Sequence, residues 1–252
     1  MGNPTSALPD LEPGADGASP CGCTSQPVLA HALPFLAWMV LKSVFDLAVP
    51  GQPCTYAVLS LVGALLLAGF RPWRYYPRPQ ARHAALAILA GLVVLALWIV
   101  PFLGRLEGMP LLQELYLRFG VLPLGRIPVL SAPSPYSPEL CGWPLTLVRL
   151  GGSAFVIAVA EEFFWRGFLY RRLIRRDFLK APLGQFEAEP FFWSVLLFGF
   201  EHREFVAGML AGVIYGLLII RTQDIWAAVA AHVLTNLLLG MYVIRYDAYG
   251  FW

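Results

Sequence analysis

Seven apolar runs, at about 28–49, 54–70, 83–104, 145–165, 190–204, 205–221 and 225–244, dominate the chain. Roughly 20 apolar residues in a helix cross the hydrocarbon core of a bilayer, and somewhat fewer suffice where polar residues line an interior. Hydrophobic residues make up 58% of the 252 and charged residues 13%, a balance that soluble domains rarely approach. The fold class that follows is all-α, a polytopic transmembrane helical bundle of about 7–8 spans over 28–252. The segment 109–124 reads either as an amphipathic helix lying on the membrane or as a short extra span. No repeat of 20–50 residues is visible.

Residues 1–27, rich in Pro, Gly and Ser, cannot bury a core and read as a disordered tail. They lack the basic start and following apolar stretch of a cleavable signal peptide, so the first span itself serves as the targeting signal. Cys21 and Cys23 form a C-x-C in this tail without further ligands nearby, and Cys54 and Cys141 fall near predicted outer ends, where a disulfide could form.

Positive residues accumulate in cytoplasmic loops. Arg71, Arg74, Arg78 and Arg82 occupy one loop, and Arg171, Arg172, Arg175, Arg176 and Lys180 another, an even number of spans away. Both loops are thus expected in the cytoplasm, together with the N-terminus, with 105–144 and Trp252 on the other side. The net charge of +2 gives no sign of nucleic acid; the basic residues sit beside membrane ends, where topology and anionic lipid would put them.

Within three of the runs lie groups that hydrocarbon disfavours. Glu161 and Glu162 end the run 150–160, and His202 and His232 stand in two later runs. An acidic side chain near the bilayer centre costs at least about 2.5 kcal/mol, so each is a functional candidate until a partner accounts for it. Glu162 and Arg166 are an i,i+4 pair on one helix face, whereas Glu161, 100° away, points elsewhere. The spacing therefore divides labour: Glu162 tied to Arg166, Glu161 free to act. Two membrane-end glutamates pairing with the Arg-rich loop would be the plainer account.

His202 follows Phe198 by one turn, and it reads either as a residue inside the span or as part of a short polar turn, Glu201-His202-Arg203-Glu204, between spans. His232 has Asn236 one turn later on the same face, a pair that could be mere helix–helix glue. His31 and His83 start spans and call for no special role. Lys42 and Asp46, spaced i,i+4, read as a structural ion pair, and Gly151-Gly152-Ser153 as a small-residue packing site rather than a serine nucleophile.

Together, Glu161, Glu162, Arg166, His202, His232 and Asn236 are the parts for activating a water: a carboxylate base, an imidazole, and donors for a tetrahedral oxyanion. Glu161, His202 and His232 could equally ligate a divalent metal such as zinc with an open water position. A non-proteolytic scaffold or transporter using the same groups for ion or partner binding is the competing reading, although no paired inverted repeat with broken helices is seen. The discriminator is arrangement: a hydrolase gathers the groups around one cavity, and a scaffold scatters them.

Glu161-Glu162-x-x-x-Arg166, Phe198-x-x-x-His202 and His232-x-x-x-Asn236, in that order on successive apolar segments, resemble the three motifs of the CAAX prenyl endopeptidase type II family, also called the CPBP or Abi family of intramembrane proteases. The match covers about 145–240. The resemblance implies a multi-pass protein of the cell (inner) membrane whose polar cavity, open to lipid and cytosol, holds the site. It implies water activation by Glu161 and His202, support from Glu162 held by Arg166, and an oxyanion near His232 and Asn236. The implied partners are membrane lipid and a membrane-anchored protein or peptide substrate, prenylated in the eukaryotic relatives. The family is often described as metalloproteases, and a metal-free, glutamate-activated water has also been argued for it.

Overall fold

The structure, a computed structural model, describes residues 25–103, 109–126 and 134–252; the tail to residue 24, with Cys21 and Cys23, and Arg105 lie outside them. Among the described residues the secondary structure is helical throughout. The helices are α1 (Ser25–Ala48), α2 (Cys54–Phe70), α3 (Ala84–Ile99), α4 (Pro110–Phe119), a long α5 (Pro138–Ile174), α6 (Ala188–Glu201), α7 (Phe205–Thr222) and α8 (Ile225–Tyr246). Six long apolar helical stretches in this set could cross a bilayer. The seventh expected span is α6, whose 14 residues reach only about 21 Å at 1.5 Å each. At 10 residues α4 is too short to span, which removes the second of its two readings.

The bundle has two chemically distinct ends. At one, which we term the basic end, the start of α1 meets the loop after α2 and the loop after α5. There His31 Nε2 lies 2.8 Å from Tyr76 Oη, Arg171 Nη1 donates to Tyr76 Oη at 3.4 Å, and the Arg171 Nε donates to the Ala181 carbonyl at 2.7 Å. The start of α8 is fixed here too. Asp224 caps it by accepting from the Trp226 N–H, and the same carboxylate takes the Gln80 N–H and faces His83 Nδ1 at 3.0 Å. At the opposite end the loop between α6 and α7 meets the C-terminus and the segment after α4. Arg203 Nη1 donates to the Gly250 carbonyl at 3.1 Å, and the Leu122 N–H donates to the Arg203 carbonyl at 2.8 Å. The two Arg-rich loops thus share one end and Trp252 belongs to the other, the grouping expected from their charges. Cys54 and Cys141 are free thiols, and Cys141 Sγ faces Thr146 Oγ1 at 3.5 Å instead of a second sulfur.

Helix contacts without a hydrophobic driving force between spans depend on close backbone approach, hence on small residues. A Cβ on Gly91 of α3 would lie 2.7 Å from the Ala231 carbonyl oxygen of α8, and one on Gly152 of α5 would lie 2.9 Å from the Tyr56 ring of α2. Of Gly151-Gly152-Ser153, Gly152 makes such an approach, Gly151 has open space around it, and Ser153 Oγ donates to the Leu150 carbonyl. Helix α5 is irregular as well as long. Gly142 adopts φ 76°, a conformation glycine takes without a Cβ penalty, and kinks the helix before Pro144. Two π-helical stretches, Gly152–Ile157 and Phe163–Leu169, then flank the five α-helical residues Ala158–Glu162 that carry both glutamates.

The Gly91→Ala substitution should lower the thermal stability in detergent, by an overpacking cost of about 1–3 kcal/mol. Gly69→Ala, with open space around the new methyl, should be neutral or slightly stabilising. Equal melting temperatures for the two would show that the α3–α8 approach is not tight.

Candidate active site

The centre of the bundle is a chain of buried polar side chains. Arg166 Nη1 donates to Glu162 Oε1 at 2.9 Å, and His232 Nδ1 lies 2.9 Å from the same oxygen. The other ring nitrogen of His232, Nε2, faces Glu161 Oε2 at 3.6 Å. All four side chains are within 5% of full burial. Since Glu162 Oε1 accepts from Arg166, the hydrogen-bond network assigns the His232 proton to Nδ1, which leaves Nε2 turned to Glu161. The i,i+4 tie of Glu162 to Arg166 is as the spacing predicts. The expectation that Glu161 points elsewhere is refined: 100° around the helix brings it to the second nitrogen of the same imidazole. A planar ring with a nitrogen on each of two edges can face two carboxylates that leave one helix in different directions.

Aromatic rings wall this chain. Arg166 sits 4.1 Å over the Phe198 ring, a cation–π contact, while His232 stacks on Tyr215 at 5.1 Å. Tyr215 donates to Thr235 Oγ1 at 2.8 Å, and that hydroxyl has the Gly91 and Ala231 carbonyls at 2.9 and 3.0 Å for its own hydrogen. The α3–α8 approach at Gly91 and the orientation of His232 are therefore mechanically linked. Asn236 is tied differently from the expected His–Asn pair: its Nδ2 donates to the Ser153 carbonyl at 3.0 Å, joining α8 to the first π stretch of α5.

His202 lies just past the helix. α6 ends at Glu201, and His202 is extended at φ −101°, ψ 144°, so it belongs to the turn rather than to the span. The turn nonetheless turns its ring inward. Nδ1 lies 2.8 Å from the Phe198 carbonyl, and the ring packs on Phe198 at 4.6 Å and on Trp98 of α3 at 5.5 Å. Gly199 and Gly208 make this possible: a Cβ on Gly208 would stand 3.2 Å from the His202 Cβ. Phe198 thus separates His202 from Arg166 and His232, touching all three.

Glu161, His202, His232 and Asn236 line one cavity of about 400 Å³, with Glu162 and Arg166 just behind its wall. The sequence-derived candidates are therefore gathered, not scattered. Glu161 Oε2 and Glu162 Oε2 are buried without a hydrogen-bond partner among the described residues, and a buried carboxylate oxygen in that state demands a proton donor. Sequence reasoning missed several liners. Glu201 receives the Trp165 Nε1–H at 2.8 Å, and Arg149 lies 4.0 Å over the Tyr56 ring. Glu201 was visible only as a neighbour of His202 in a polar turn, and Arg149 only as a charge near a span end. Among the described residues no three His, Cys, Asp or Glu side chains are grouped as a metal-ligand set. His202 and His232 each have Nδ1 held by the protein, by the Phe198 carbonyl and by Glu162, which leaves Nε2 as the free ring nitrogen of both.

Residues 143–238, from near the start of α5 to the second half of α8, match the family model of Rce1-like type II CAAX prenyl endopeptidases. This part of the chain is similar to that family. It encloses all six candidate residues. Comparisons with curated proteins and with solved structures return no match. The match supports a CAAX-type intramembrane peptidase at family level, and the six long apolar helical stretches fit a multi-pass membrane protein.

Removing Arg166 leaves the Glu162 carboxylate buried against a single imidazole. Arg166→Ala should cost about 3–5 kcal/mol, read as a fall in melting temperature in detergent, and Trp165→Phe, which frees one oxygen of Glu201, should cost less. A stable Arg166→Ala protein would mean that the chain of charges does not hold α5 and α8 together.

Proposed function

We propose that the chain is an intramembrane endopeptidase of the CAAX-processing type in the cell (inner) membrane. It hydrolyses a peptide bond of a membrane-associated protein, prenylated or otherwise lipid-anchored. The observation that carries the reading is the Glu161–His232–Glu162–Arg166 chain beside one cavity within the bundle. Glu161 is the general base: it takes a proton from a water in the cavity, and the hydroxide oxygen attacks the scissile carbonyl carbon. His202 positions that water through Nε2, its Nδ1 being held by the Phe198 carbonyl.

Arg166 and Glu162 act through His232, fixing its tautomer and ring plane in the way that a buried carboxylate orients an imidazole. The second N–H of the Asn236 amide, the one not spent on Ser153, supplies a neutral donor for the tetrahedral oxyanion. Collapse of that intermediate breaks the C–N bond, and the proton held by Glu161 passes to the leaving amine. No step uses a metal.

Glu161→Gln keeps the shape and hydrogen bonding of the side chain but cannot take a proton from water. It should reduce cleavage of a membrane-anchored model peptide by about 10²–10⁴-fold with the melting temperature unchanged. Glu162→Gln should lower both activity and stability, because the amide replaces an orienting ion pair. Full activity in Glu161→Gln would assign the base elsewhere. Activity lost only in step with stability would favour a scaffold.

A further inference from the structure

Along α5 the cavity is lined by Arg149, Ser153, Ile157 and Glu161, one residue in every four. On a regular α-helix such a series drifts by about 40° at each step, and so by about 120° from first to last. The π-helical stretch Gly152–Ile157 takes more residues per turn and keeps the series on one face. Arg149 therefore ends the wall on which Glu161 stands. At 1.5 Å per residue the two are at most about 18 Å apart along the helix.

Arg149 is a cation without an anion. Its guanidinium lies 4.0 Å over the Tyr56 ring and 5.4 Å from the rings of Tyr136 and Trp252. Ring faces attract a cation but offer no lone pairs to its five N–H donors. Among the described residues its Nε is buried without a hydrogen-bond partner, and no carboxylate stands within ion-pair distance. The other cations on the cavity wall are engaged: Lys42 pairs with Asp46, and Arg203 donates to the Gly250 carbonyl. Arg166, just behind the wall, is held by Glu162. A guanidinium drawn out of water without an acceptor is unfavourable, so the group is completed by whatever anion enters the cavity.

We propose that Arg149 is the receptor for a carboxylate of the substrate, gripped by the planar guanidinium fork while the scissile bond lies at Glu161. An extended chain covers at most about 3.3–3.6 Å per residue, so the carboxylate belongs within about five residues of that bond. It is either the terminal carboxylate of the substrate or an Asp or Glu side chain; both present the same planar anion to the fork. That the anion belongs to a substrate rests on the peptidase reading; that the cavity holds an anion at Arg149 does not.

The test uses the purified full chain and lipid-anchored model peptides that differ only in charge: a free C-terminal carboxylate or its amide, and Asp or Asn within five residues of the cut. Loss of the carboxylate that Arg149 binds should lower kcat/KM by about 10–100-fold, as expected for a charge-assisted hydrogen bond. An effect of the terminal amide alone identifies the C-terminus as the source, and an effect of Asn alone the side chain. Arg149→Gln should cause a loss of similar size on the carboxylate peptide, and the two losses should not add. Arg149→Lys keeps the charge without the fork and should retain part of the activity. The peptide comparison on the parent protein needs no variant, so it decides even where Arg149→Gln does not fold. Binding to the Glu161→Gln protein, read as the rise in melting temperature that each peptide gives, repeats the comparison without turnover.

Equal cleavage of charged and neutral peptides, or additive losses with Arg149→Gln, would overturn the inference and leave the peptidase reading standing. No cleavage of any peptide, together with a carboxylate-dependent rise in melting temperature that Arg149→Gln abolishes, would keep the receptor and remove the peptidase. Absence of both cleavage and binding would remove both. A rise given by an anionic phospholipid and by none of the peptides would assign Arg149 to a headgroup phosphate and overturn the inference.

Discussion

Everything central in this molecule depends on one buried ionic chain, from Arg166 through Glu162 to His232 and on to Glu161. A guanidinium and two carboxylates inside a membrane bundle are costly singly and tolerable only as partners. The partners come from two helices, α5 and α8, so the pairing fixes how those helices face each other. The rest of the interior is arranged around that need. Phe198 and Tyr215 cover the guanidinium and the imidazole, and the Tyr215–Thr235 bond fastens the ring wall to the backbone of α3 at Gly91.

The irregular course of α5 surrounds the same residues. The two adjacent glutamates leave the α-helical segment Ala158–Glu162 100° apart, and the His232 ring faces both. The π-helical stretches on either side of Ala158–Glu162 adjust the local register, and such stretches frequently mark functional positions in helices. Small residues then let the neighbouring backbones come close enough to enclose the result: Gly152 against Tyr56, Gly208 against His202. The cavity is consequently a product of packing as much as of polarity. Its polar groups are concentrated on the walls contributed by α5, α6 and α8.

Much of this was legible from residue order. Run length and composition gave the helical class, because spanning hydrocarbon requires about 20 apolar residues and few sequences supply them otherwise. The i,i+4 spacing gave the Glu162–Arg166 pair, since a local contact within one helix needs no knowledge of the fold. Charge placement grouped the two Arg-rich loops at one end. The three short motifs, each weak by itself, were sufficient to suggest the family whose model 143–238 matches.

What the sequence left open is what depends on contacts between distant segments. Helical periodicity cannot say that both nitrogens of His232 meet carboxylates 70 residues away, nor that Asn236 spends a hydrogen bond on Ser153 rather than on its neighbour His232. It cannot recruit Glu201 and Arg149 to the cavity wall, because their roles arise from the Trp165 indole and the Tyr56 ring across helix boundaries. The sequence by itself determined a membrane-spanning helical chain, its local ion pair and the residue types of a hydrolytic site, because hydrophobic length and helical spacing are properties of a single segment. Only the tertiary structure decided the partners of His232 and the shape of the cavity, because those are relations between segments that only packing brings together.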